Sequence, residues 1–315
     1  MKNSTFPLRH NGITTRIHRV VIEEPLSAAN VVEFLGMCPE LRYLYWRSSK
    51  MIRFPLPQLA SALMDGLWPR LTELDVDGNE MKDDDLAKAL DGIGQLVSLR
   101  APKAEFSSLS LQSIRKHISS IKTLDLRGCN YVTSSMIQSI LCSMITLESL
   151  SVGRIGYMDI VTGSAWTSLN LRELAISIDM DTISSDKSKE KTLTRSDTSG
   201  SPSFEAHQRI VYGRLSSLER LSVLNLQPYP LNNYATMKRT LDLRLISGLE
   251  VLSSLKKLVD FSFKMTSQQM SMDEVQWITR NWTSLRKICG RFTSDPVQYY
   301  EMKRALNRYG ILVYD

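Results

Sequence analysis

Apolar residues recur along this chain in one spacing: a leucine-type residue, two variable positions, a second leucine-type residue, one variable position and a third. Ile121-x-x-Leu124-x-Leu126 is the sharpest example, and Gly128, Cys129 and Asn130 follow it. Alternation at Leu124 and Leu126 predicts a short strand with one buried face. The glycine predicts a turn from which Cys129 or Asn130 points inward. Ser134 to Ser143 then places Met136, Ile137, Ile140 and Leu141 at helical spacing. Strand, turn and helix make one unit.

The unit repeats from near the start of the chain. Ile17-x-x-Val20-x-Ile22, Leu41-x-x-Leu44-x-Trp46, Leu71-x-x-Leu74-x-Val76 and Leu96-x-x-Leu99-x-Ala101 precede the sharpest example. Leu147-x-x-Leu150-x-Val152, Leu171-x-x-Leu174-x-Ile176, Leu218-x-x-Leu221-x-Val223, Leu258-x-x-Phe261-x-Phe263 and Leu285-x-x-Ile288 follow it. Successive starts lie 24, 30, 25, 25, 26, 24, 47, 40 and 27 residues apart, a spacing that chance does not produce. The Ile121–Thr133 stretch closely, and Cys38–Trp46 more loosely, resembles the cysteine-containing leucine-rich repeat of F-box proteins and ribonuclease-inhibitor-like horseshoes. The resemblance implies an α/β solenoid: a right-handed β-α horseshoe with a parallel concave sheet and helices on the convex side. The array is expected over 17–315, in about ten repeats, after a short N-terminal segment, 1–16.

The two long steps differ in kind. Ser184 to Ser203 is rich in Ser, Thr, Lys and Asp and nearly lacks large apolar residues. Such a segment cannot bury enough surface to offset its ordering entropy, so a disordered insertion is predicted at 184–203. After Gln227-Pro-Tyr-Pro230, the spacing of Met237, Leu241, Leu245, Leu249 and Leu252 predicts a long convex-side helix. Ser271-Met-Asp-Glu274 reads as a capping box, and Asp295-Pro296 as a cap followed by a first-turn proline. The last helix is expected to stop at Gly310, with Ile311 to Tyr314 as a final strand.

A charged fraction of 23% and an apolar fraction of 43% are those of an ordinary soluble protein. The net charge of +6 is spread rather than gathered in a run, so no nucleic-acid partner is expected. No apolar stretch has signal-peptide or bilayer-spanning length, so neither membrane nor secretion is expected. Cys38, Cys129, Cys142 and Cys289 form no C-x-x-C pair and have no nearby histidine partners. That argues against zinc and against a disulfide framework, and for free thiols inside the cell, in cytoplasm or nucleus. His10, His18, His117 and His207 are isolated, and no phosphate-binding glycine loop or nucleophile elbow is present. No enzymatic activity, metal or cofactor is expected.

Strand alternation sorts residues into core and outward positions. The outward positions of the early strands bring together Tyr43, Tyr45 and Arg47, then Glu73, Asp75 and Asp77, then Arg100, Asp125 and Arg127. Tyrosine and arginine are enriched where binding energy concentrates, so these nine residues are the candidate protein-binding surface. Later strands offer smaller groups, including Ser149, Ser151 and Ala175. The same alternation places Arg220, Ser222 and Leu224 outward, and also Cys289, expected to be the exposed cysteine. The expected function is that of a scaffold, monomeric by itself, that holds a protein partner on its concave sheet. The resemblance implies a specific version, the substrate-recognition part of an F-box-type ubiquitin ligase, although residues 1–16 are too few to hold an F-box. The alternative is a leucine-rich repeat regulator of a small GTPase.

Overall fold

A computed structural model describes residues 16–22, 33–46, 56–76, 78, 81–180, 204–227 and 240–315. Its strands are β1 (Arg19–Ile22), β2 (Tyr43–Trp46), β3 (Glu73–Val76), β4 (Ser98–Arg100), β5 (Thr123–Asp125) and β6 (Ser149–Gly156). They continue as β7 (Glu173–Asp179), β8 (Val223–Asn225), β9 (Asp260–Ser262), β10 (Lys287–Cys289) and β11 (Leu312–Tyr314). All are parallel, in one 11-stranded sheet whose order in space is their order in sequence. Parallel neighbours cannot be joined by a tight turn. Helices on one side of the sheet make many of the returns: α1 (Leu56–Met64), α2 (Asp83–Gly92), α3 (Ser108–Ile114), α4 (Ser134–Ser143), α5 (Tyr157–Thr162), α6 (Phe204–Ser216), α7 (Met272–Asn281) and α8 (Pro296–Arg308).

One register runs through the sheet. Leu44, Leu74, Leu99, Leu124, Leu150, Leu174, Leu224, Phe261 and Ile288 pair in sequence across it and are fully buried. Their side chains meet the apolar stripes of the helices, such as Leu86 and Leu90 of α2 and Ile137, Ile140 and Leu141 of α4. A repeat alone would leave this row in water. Stacking removes it, which is why the array holds together.

Two backbone devices recur along the array, the first of them in five of the frames read from the sequence. Three residues before the first leucine stands another buried apolar residue: Cys38, Trp68, Met144, Leu255 or Trp282. Its carbonyl accepts the N–H of that leucine at 3.1–3.2 Å in Leu41, Leu71, Leu147 and Leu258, and at 3.0 Å in Leu285. The residue just before each of β1 to β9 offers a carbonyl to two N–H groups of the next repeat, as Arg42 does to Thr72 and Glu73.

These devices correct the eighth unit. The carbonyl of Arg172 accepts the N–H groups of Ser222 and Val223, so β8 begins at Val223 and its frame is Leu221-x-x-Leu224-x-Leu226. Leu218, whose carbonyl accepts from Leu221 at 3.0 Å, takes the place that Trp68 or Met144 takes elsewhere. Leu224 is therefore 0% exposed, and Val223 and Asn225 are the outward residues. Two overlapping leucine frames fit the sequence; strand pairing selects the later one.

The long helix expected from Met237 to Leu252 is absent over the described residues 240–252, where the chain forms two short 3-10 turns, Leu245–Ser247 and Leu249–Ser254. Gly248 between them has φ +108°, a left-handed conformation that interrupts any helix, and a β-carbon there would press on Arg209 and Tyr212. Neighbouring repeats satisfy the backbone instead. Gln208 Nε2 donates to the carbonyls of Asp242 and Ser247, while Gln268 Oε1 and Glu274 Oε1 accept from the N–H groups of Leu243 and Leu245. Leu241, Leu249 and Leu252 are buried all the same. The stripe was real; the helix was not.

Other helix signals hold. Ser271 and Glu274 form the capping box of α7, Asp295 caps α8 ahead of Pro296, and Gly310 ends that helix at φ +75°. The predicted insertion at 184–203 lies outside the described residues, as do residues 1–15 of the N-terminal segment.

Candidate protein-binding surface

The outward residues of β2 to β5 stand in register. Tyr43 pairs with Glu73, and Tyr45 with Asp75; Asp75 pairs with Arg100, and Arg100 with Asp125. Six of the nine candidate residues are thus brought side by side on four adjacent strands, about 4.8 Å apart. Arg127 lies in the turn after β5 and folds back onto Asp125. Arg47 and Asp77 lie outside the described residues.

Tyr43 and Tyr45 are half-buried. The guanidinium of Arg19, on β1, stacks 4.4 Å from the centre of the Tyr43 ring, a cation–π contact that fixes the ring's orientation. The first strand's position beside Tyr43 is legible in the repeat frame, but the stacking is not.

The charged residues do not lie flat. The Asp75 side chain is 12% exposed and the Arg100 side chain 52%; Asp125 and Arg127 stand at 10% and 51%. A short carboxylate between larger neighbours sinks toward the strands, while the longer guanidinium rises over it. Arg127 grips Asp125 with Nε at 2.9 and 3.1 Å and Nη2 at 2.6 Å, and its own backbone N–H donates to Oδ1 at 3.1 Å. That last bond is an Asx turn. Asn225 makes the same bond to the Gln227 N–H at 2.9 Å at the end of β8. Asp125 therefore closes its strand into the turn at Gly128.

The middle and far end of the sheet differ. Ser149, Ser151 and Ala175 make a low floor, with Ser149 Oγ donating to Glu173 Oε2 at 2.9 Å. Beyond it, Lys287 donates to Asp260 at 2.6 Å, and this partner holds its ammonium pKa above the ordinary lysine value. Cys289 stands in the outward row beside Ser262 and Tyr314, yet is only 6% exposed. The expectation of an exposed cysteine is overturned. Cys129 is the residue of its turn that points inward: its Sγ donates to the Ala101 carbonyl at 3.3 Å, and burial pushes its thiol pKa up to about 12.

On the helical side, His117 is buried between repeats. Its Nδ1 accepts the Leu96 N–H at 3.2 Å and its Nε2 lies 3.0 Å from the Leu90 carbonyl, an arrangement that calls for the neutral tautomer with a proton on Nε2. Burial lowers its pKa, against the opposing pull of the Leu90 carbonyl. Among the described residues, no three His, Cys, Asp or Glu side chains gather as metal ligands, and no helix is long and apolar enough to cross a membrane.

The single parallel sheet, the helical returns and the repeated leucine frame are together those of a leucine-rich repeat solenoid. No protein family and no curated protein matches the chain. Solved structures do. An internalin of Listeria monocytogenes is similar at 15% identity and a TM-score of 0.49, over 89% of this chain and 69% of its own. The yeast Rad7 and Elc1 complex gives 15% identity and 0.46, over 89% of this chain and 74% of the matched one. TLR13 in complex with ssRNA13 gives 12% and 0.26, and this chain spans 59% of its length. Likeness at this level concerns the fold alone.

Proposed function

We propose that this chain is a protein-interaction scaffold that captures a partner across β2 to β5 of the concave face. The observation that carries the reading is the contiguous placement of Tyr43 and Tyr45 in the outward row, with Arg19 stacked on the first ring. Half-buried tyrosines offer large contact area with little conformational freedom to lose. A stable complex covers about 1,200 Å² or more in total, and four strands with their flanking turns supply such a footprint. Recovery of partners from a native lysate, repeated with Tyr45→Ala, tests the reading. A partner retained equally by both proteins sinks it.

The finer version, substrate recognition in an F-box-type ubiquitin ligase, is supported by the repeat around Cys129, whose buried thiol closes the turn onto the preceding repeat. Recovery of a ligase adaptor with the partner is its expected signature. A regulator of a small GTPase would present a strongly acidic surface. Asp75 is sunk against Arg100, leaving Glu73 as the exposed acid of β3 among the described residues, so this geometry favours that alternative less.

A further inference from the structure

The quartet Asp75, Arg100, Asp125 and Arg127 has no net formal charge, but its two signs lie at different depths. The aspartate side chains are 12% and 10% exposed, and the arginine side chains paired with them 52% and 51%. An approaching partner therefore meets arginine first. We propose that this part of the concave face selects an acidic peptide segment, whose carboxylates are held by Arg100 with Arg127 beside it. The proposal rests on the concave face being the binding surface.

Arg100 is the better placed of the two. Its Nη1 lies 3.6 Å from Asp75 Oδ2, near enough for attraction but too far for a hydrogen bond. Among the described residues its guanidinium donates no hydrogen bond, so the planar fork stays available for a carboxylate. Asp75 on one side attracts it, and Asp125 stands beside it on the other in the same row of the sheet. Arg127, clamped on Asp125, brings a second guanidinium to the neighbouring strand.

The buried aspartates also set which anion fits. Each arginine is already partly offset by the carboxylate beneath it, so a singly charged carboxylate gains from the fork's hydrogen bonds and meets little repulsion. A dianionic phosphate would lie over two buried negative charges without surplus positive charge to hold it. On the other side of Arg100, Thr123, Ser149 and Ser151 keep the floor low, which lets a partner's main chain approach the sheet.

The test uses the full chain and a library of random linear peptides. Peptides selected on the unaltered protein should carry an excess of Asp and Glu. They should bind Arg100→Gln about tenfold more weakly, because a charge-assisted bidentate contact is lost, and weaken as salt rises. Arg100→Lys, which keeps the charge but not the fork, should fall between. The melting temperature of each variant separates lost contact from lost folding, and the peptide composition needs no variant. Peptides that lose binding with Tyr45→Ala but show no acidic excess, or that bind Arg100→Gln undiminished, overturn the acidic preference and leave the scaffold reading standing. Failure to select any peptide, or selection of peptides indifferent to both substitutions, overturns both.

Discussion

Asp83 and Ser110 lock two successive repeats together. The Asp83 carboxylate, in the first turn of α2, accepts the Ser110 backbone N–H at 3.0 Å, and the Ser110 hydroxyl donates back to the Asp83 carbonyl at 3.1 Å. The same carboxylate takes the N–H groups of Ser107 and Leu109, so one repeat's side chain caps the next repeat's helix. Asp83→Ala strands several helix-end donors, including that of the buried Ser110. It should cost about 1–3 kcal/mol in chemical denaturation, and Asp83→Asn less. An unchanged midpoint for the alanine variant would show the cap to be idle.

The eighth repeat separates the two leucine frames by experiment. Leu224→Ala should destabilise by about 2–5 kcal/mol, the range for truncating a fully buried leucine, while Val223→Ala, on the outward row, should cost far less. The reverse order would restore the frame that begins at Leu218.

His117 makes stability depend on pH. Burial lowers its folded pKa below the ordinary 6.5, with the nearby Asp91 raising it and Lys116 lowering it. The unfolded chain thus binds the proton more readily, so the contribution is complete above about pH 6.5 and is lost as pH falls toward the folded value. A protonated ring would also turn Nδ1 against the Leu96 N–H it now accepts. Urea midpoints should drop between pH 7.5 and 5.5, and His117→Gln should flatten that drop. An equal slope in both proteins would assign it to other groups.

Tyr45→Ala should weaken partner capture by about 1–2 kcal/mol or more, as for an aromatic at the centre of an interface. Ser151→Ala, on the low floor four strands away, should leave it unchanged. Equal effects would move the contact surface elsewhere. Affinity and melting temperature, measured on the same samples, distinguish the two losses.

Thiol labelling reports burial directly. Cys142 is the half-exposed cysteine, and Cys38, Cys129 and Cys289 are buried. Burial also raises the Cys142 pKa, so it should be modified first but slowly at neutral pH. The other three should wait for unfolding. Early modification of Cys289, followed by mass spectrometry of the fragments, would contradict its depth.

Most of the fold was legible because one chemical rule repeats: Leu44, Leu124 and Leu174 have the same neighbours and so carry the same pattern. Where two registers fit equally, as at Leu218 and Leu221, only pairing with β7 decides. The stripe at Leu241, Leu249 and Leu252 revealed burial but not conformation, since Gln208, Gln268 and Glu274 reach in from other repeats to bind the backbone. The candidate surface was legible as a face. Alternation states which side a residue leaves the strand, not how deep it lies, so neither the sinking of Asp75 and Asp125 nor the cover over Cys289 could be read from it.

Because strand order in space follows strand order in sequence, the molecule has a distinctive mechanical character. Among the described residues each strand pairs only with the strands before and after it in sequence, so tension along the sheet breaks these pairings in turn. Repeats should peel away singly, each yielding a small, similar force and a similar length of chain, in a saw-tooth rather than one rupture. Refolding should advance in the same manner, each returning strand templated on the edge of the one already laid down.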